Sequence, residues 1–65
     1  MEPKKIAKNL VDLRGNRPQS EVAKACGISI SAIGMYETGE RIPRDEIKVR
    51  LARYYGVTVE SIFYA

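Results

Sequence analysis

Gln19 to Gly39, read as QSEVAKACGISISAIGMYETG, carries two apolar periodicities hinged on one glycine, and this stretch restricts the fold most narrowly. Val22, Ala23 and Cys26 recur at helical spacing, and so do Ile33 and Tyr36. A helix over Pro18 or Gln19 to Ala25 must stop at Gly27, which reaches positive φ without the steric cost of a Cβ. Ala23 is small, so a second helix can cross close to it. Ile28 plugs the turn. Ser29 then opens a new helix, its hydroxyl placed to accept from an otherwise unpaired backbone N–H, and Gly39 stops it. The spacing predicts two short helices joined by a tight turn.

With Ile33 and Tyr36 turned inward, the positions left facing outward are Ile30, Ser31, Ala32, Gly34 and Met35. An outward face of small and apolar residues marks a contact surface. Ile30 has a second reading, as a staple packed on the preceding helix.

The flanking segments are helical too. Pro3 suits a first helical turn, and Ile6, Leu10 and Leu13 form a one-sided stripe over Pro3 to Leu13 or Arg14. Gly15 and Asn16 break it. Pro43 prevents the third helix from continuing. A fourth helix is expected from Arg44 to Tyr55, with Ile47, Leu51, Tyr54 and Tyr55 on one side and Lys48, Arg50 and Arg53 outside. Gly56 ends it, and Thr58 caps a short fifth helix, Val59 to Tyr64. No segment alternates with period two for long enough to support a strand. The expectation is all-α: five helices in a single domain, 1–65, because 65 residues leave no room for a second one.

Composition removes several function classes. The chain has no histidine and one cysteine, so the usual zinc sets and an internal disulfide are excluded. Cys26 reads as a small core hydrophobe and fits a reducing cytoplasm. No nucleophile or carboxylate stands beside a plausible base, and no Gly-rich phosphate loop occurs, so an enzyme is not expected, nor any cofactor or metal. No apolar run approaches a membrane span and no signal peptide is present, which points to a cytoplasmic protein. Eleven Lys and Arg against eight Asp and Glu leave a net charge of +3, which permits a phosphate-backbone partner without demanding one. Residues 1–24 hold six basic and three acidic side chains, so the excess leans towards the first two helices.

Leu10, Leu13-Arg14, Gln19, Val22-Ala23, Gly27-Ile28-Ser29, Ile33, Tyr36-Glu37, Gly39, Pro43, Leu51-Ala52, Gly56-Val57 and Ile62-Phe63 together give the chain a familiar outline. It resembles the lambda-repressor-like (Xre/Cro-type) helix-turn-helix family, and MYETGERIPRDEI looks like the form found in small regulators of phage and mobile elements. The resemblance implies a sequence-specific regulator of transcription that binds double-stranded DNA. It implies a homodimer on a palindromic operator, with helix three in the major groove and no small-molecule ligand. Base contacts would then come from Ile30, Ser31, Ala32, Gly34 and Met35, and backbone contacts from Arg17, Gln19, Ser29, Thr38, Arg41 and Arg44. Arg14 and Glu37 would form a supporting ion pair. Ile62, Phe63 and Tyr64, on a helix too short to bury them alone, would form the dimer interface, with Phe63 alternatively in the monomer core. A rival reading is an antitoxin-like or other interaction module whose main partner is another protein.

Two features depart from the family pattern. The turn between helices one and two is shorter than the common form, which draws Arg17 and Pro18 close to Arg14. Pro18 also stands where relatives carry a Thr or Ser cap, so the cap shifts to Asn16 or is absent. In helix three no Gln, Asn, Arg or Lys occupies a base-facing position. What remains are serine hydroxyls and groups that can pack on thymine methyls, so readout leans more on operator shape.

Overall fold

The computed structural model describes residues 2–65, and among them the chain forms five helices and no strand. They are α1 (Pro3–Arg14), α2 (Gln19–Cys26), α3 (Ile30–Thr38), α4 (Asp45–Tyr55) and α5 (Val59–Phe63). Their ends follow local chemistry. Pro3 sits in the first turn of α1, where a missing N–H costs nothing. Ser29 Oγ accepts from the Ala32 N–H at 3.0 Å, and Thr58 Oγ1 from the Ser61 N–H at 3.1 Å. Pro18 holds the N-cap position of α2 without a side-chain bond, so that cap is absent. α4 begins at Asp45, one residue after the expected start. Asp45 and Glu46 in its first turn favour the positive end of the helix dipole. α5 stops at Phe63, with Tyr64 as its C-cap.

The hinge between α2 and α3 is built by Gly27 at φ 69°. Beyond it the Ile28 N–H returns to the Ala23 carbonyl at 3.0 Å, a Schellman closure that satisfies an orphan carbonyl. Ile28 packs half-buried on the core. Gly39 ends α3 in the left-handed region at φ 84°, beside the first turn of α1, where a Cβ would stand in ordinary contact, 3.4 Å from the Pro3 carbonyl.

α3 lies across α1 and α2, α4 packs on α2 and α5, and α5 returns to α1. Leu10, Val22, Ile33, Leu51 and Phe63, one from each helix, meet in one apolar cluster.

The packing corrects two expectations. Ile62, expected at an interface between copies, and Phe63, expected there or in the monomer core, are core residues of the chain, 1% and 2% exposed. α5 cannot bury them unaided, but α1 and α4 supply the walls, and Asn9 Nδ2 donates to the Ile62 carbonyl at 2.9 Å. Lys48, expected outside, is 5% exposed. Helical spacing places it on the same stripe as Leu51 and Ala52, so packing on α5 encloses it. Its ammonium donates to Tyr64 Oη at 3.0 Å and lies over the rings of Phe63 and Tyr64. Asp45 Oδ1 is 3.6 Å away. The bond to Tyr64 outweighs desolvation, so the Lys48 pKa is raised and the charge is retained.

Candidate nucleic-acid interface

α3 is held by its inward residues, Ile33 and Tyr36, both buried. Its opposite side carries Ile30, Ser31, Gly34 and Met35, of which Ile30 is 52% exposed and Ser31 exposed, with Gly34 and Met35 half-exposed. Ile30 is therefore not stapled into the domain. Ala32, expected on the same face, instead packs half-buried against the edge of the core, because helical rotation brings it beside Tyr36.

The far end of α3 is fixed by a polar network. Arg14 grips Glu37 through two bonds, Nε to Oε2 at 2.7 Å and a terminal nitrogen to Oε1 at 3.1 Å. Gln19 Nε2 adds a third at 2.8 Å. The Glu37 side chain is 6% exposed, so these partners replace its water. The pairing raises the Arg14 pKa above its ordinary value. One element of the network thus comes from each of α1, α2 and α3.

Arg17 closes the same corner. Arg14 donates to its carbonyl at 2.8 Å, and its own guanidinium donates to the carbonyls of Leu13 (2.6 Å) and Arg14 (3.3 Å). The guanidinium also lies 5.2 Å and 5.1 Å from the ring centres of Tyr54 and Tyr55. An Arg expected to reach a phosphate is thus folded back as the cap of α1, because the short turn brings it onto the last carbonyls of that helix. Gln19 is similarly engaged through its side chain; its backbone N–H and that of Ser20 open α2 without an intrahelical acceptor.

Burial first, then the charge of Glu37, push the Tyr55 hydroxyl up to about 12, against a lowering by Arg17. A phenol whose folded-state pKa lies above its unfolded value stabilises the fold fully below about pH 10 and stops doing so as pH rises through its folded value. Alkaline unfolding should therefore contain a Tyr55 contribution above about pH 10 that is missing in Tyr55→Phe. Superimposable alkaline transitions for the two proteins would rule out that contribution.

The remaining candidates divide by what surrounds them. Arg41 and Arg44 are exposed and line one shallow depression with Glu46, over a floor of Ile28, Tyr36, Ile42 and Ile47. Ser29 uses an oxygen lone pair on its cap and keeps its proton to donate. The Thr38 hydroxyl faces the Met35 carbonyl at 3.2 Å and Glu40 Oε1 at 3.3 Å, and that carboxylate disfavours a phosphate beside it. Two residues that the sequence pattern places on the inner side of α4, without a part in the site, also shape it. Tyr54 and Tyr55 pack edge-to-face at 5.1 Å, and Tyr54 donates to Glu21 of α2 at 3.0 Å, tying α4 to the helix that precedes the turn. Their adjacency at the end of α4, together with a short turn holding Arg17, is the signal that could have found them.

No helix among the described residues is long and apolar enough to cross a membrane. Comparison with curated proteins and with solved structures returns no match. The family model for the helix-turn-helix (HTH_3) matches residues 5–62, from the first turns of α1 to α5. With that coverage, the five-helix architecture and the α2–α3 turn at Gly27, the chain belongs to the lambda-repressor-like helix-turn-helix family of DNA-binding transcription regulators.

Proposed function

We propose that residues 1–65 act as one sequence-specific DNA-binding domain, with α3 in the major groove, and that two copies bind a palindromic operator. The observation that carries this reading is the exposed, uncharged side of α3, held at its far end by the Arg14–Glu37–Gln19 network. Arg41 and Arg44 flank the groove-facing helix from the loop that follows it and supply phosphate contacts. The backbone N–H groups of Gln19 and Ser20 offer a further phosphate contact at the start of α2. Of the three residues expected at the interface between copies, Tyr64 remains eligible, being 54% exposed.

Selection of bound sequences from random duplex DNA tests the reading. The expected product is a motif with two-fold symmetry and half-sites about one helical turn apart. Ser31→Glu, at an exposed position, sets a carboxylate against the phosphates. It should weaken specific binding about 100-fold or more while leaving the melting midpoint unchanged. Sequence-blind binding, or full binding by Ser31→Glu, would sink the assignment of α3; a motif without symmetry would sink the dimer. Arg41→Ala and Arg44→Ala should each lower affinity on every sequence and reduce the log–log salt slope by about 0.9. An unchanged slope would leave both side chains merely solvated.

A further inference from the structure

We propose that α3 selects its operator through the C5-methyl groups of pyrimidines, so that thymine is read for its methyl and 5-methylcytosine can stand in for it. This rests on the reading that α3 enters the major groove, and it names what the helix would recognise there.

The hydrogen-bonding capacity of α3 is largely spent inside the domain. Both oxygens of Glu37 are taken by Arg14 and Gln19. The Thr38 hydroxyl faces Met35 and Glu40, and the Ser29 oxygen caps the helix, which leaves Ser29 only its proton to donate. No Arg, Lys, Asn or Gln occurs from Ser29 to Thr38, so the pairs of bonds that identify guanine or adenine have no donor here. Among the described residues, Ser31 is the hydroxyl on this face without an internal partner, and a single hydroxyl bonds to several base edges alike.

The apolar groups, by contrast, are presented. Ile30 is 52% exposed in the first turn, and Met35, half-buried, lies five positions on, roughly 140° round the helix, so the two flank the outward face from opposite edges. Between them in the chain, Gly34 departs from helix preference without an internal reason: a Cβ there would meet nothing within 4 Å. Intrachain packing does not demand glycine, whereas a base edge brought close to the helix backbone does. In the major groove the apolar feature of a base pair is the thymine methyl. An isoleucine or methionine set against any other edge would strip water from a polar group without replacing its hydrogen bond. Methyl contact is therefore what this face can reward. Cytosine methylated at C5 carries the same group at the same place in the groove.

The test uses the full chain and the duplex chosen by selection. Each thymine is replaced singly by deoxyuridine, which keeps every hydrogen-bonding group and lacks the methyl. Kd is measured by fluorescence anisotropy at fixed salt. At contacted thymines the loss should be about fourfold for each methyl removed. At the same positions, a 5-methylcytosine·guanine pair should bind more tightly than unmethylated cytosine·guanine. Ile30→Ala and Met35→Ala, folded as judged by circular dichroism, should each make the protein indifferent to deoxyuridine at the thymine it touches. If no deoxyuridine weakens binding to a selected operator, the methyl proposal fails while the regulator reading stands. Sensitivity that persists unchanged in both variants overturns it too, since the methyl would then act through DNA shape. Sequence-blind binding removes both.

Discussion

Phe63→Ala should unfold the domain, not split a pair of copies. Phe63 is 2% exposed and is among the largest fully buried side chains. Removing its ring leaves a cavity walled by α1 and α4 and should cost about 3–5 kcal/mol. A domain of this size has a total stability on the order of 5 kcal/mol, so the loss consumes most of it. It also strips one aromatic ring from the buried Lys48 ammonium, whose contact with Phe63 spans 5.7 Å. Urea denaturation followed by circular dichroism gives the answer directly. Tyr64→Phe is the companion variant. It keeps the ring and removes the hydroxyl that accepts from Lys48, so it should cost about 1 kcal/mol, as a buried donor loses one of its partners while Asp45 and the aromatic rings stay beside it. A folded Phe63→Ala protein melting within a degree or two of the parent would return Phe63 to the surface.

Glu37→Ala is expected to be nearly as damaging. It leaves the Arg14 guanidinium, whose side chain is 21% exposed, without its carboxylate and deprives Gln19 of an acceptor. Breaking a buried pair from one side costs about 3–5 kcal/mol, and the partial exposure of Arg14 places this case near the lower end. Replacing both partners by apolar residues, Arg14→Met with Glu37→Leu, should recover most of that stability, because no charge is then left buried alone. DNA affinity should not recover with it. The apolar pair cannot orient the last turn of α3 as the forked bonds from Arg14 do. Stability from denaturation and affinity for the selected operator, measured on the four members of the cycle, separate the two effects. A coupling below about 1 kcal/mol would mean that solvent screens the pair. Recovery of affinity along with stability would show that the pair only fills space.

Much of the site is legible in the sequence because its signals are local. Gly27 as the stop of α2, Ser29 as the cap of α3, Gly39 as its end and the inward turn of Ile33 and Tyr36 each depend on neighbours within about one helical turn. The Arg14–Glu37 pair lies beyond that range, its members 23 positions apart in sequence. Resemblance to a family suggests it; spacing does not. In the outward set on α3, Ala32 packs partly against the core, a placement decided by how far α3 rotates against α1 and α2.

The surprises share a cause. Arg17 reads as a phosphate contact in sequence because its charge is visible there, while the groups that engage its guanidinium are not: Tyr54 and Tyr55 arrive from the far end of α4. The charge of Lys48 argues for the outside although its helical phase puts it among Leu51 and Ala52. The shortness of α5 argues for Ile62 and Phe63 at an interface, yet Asn9, 53 positions before Ile62, helps close the core over them. Where helices begin, where they stop and which face of each is apolar follow from the order of residues, since backbone caps and periodicity act over a few positions. Which charged and aromatic side chains are enclosed follows only from how the five helices pack. A buried charge is tolerable only when partners from distant elements replace its water, and those partners meet it only after the chain has folded.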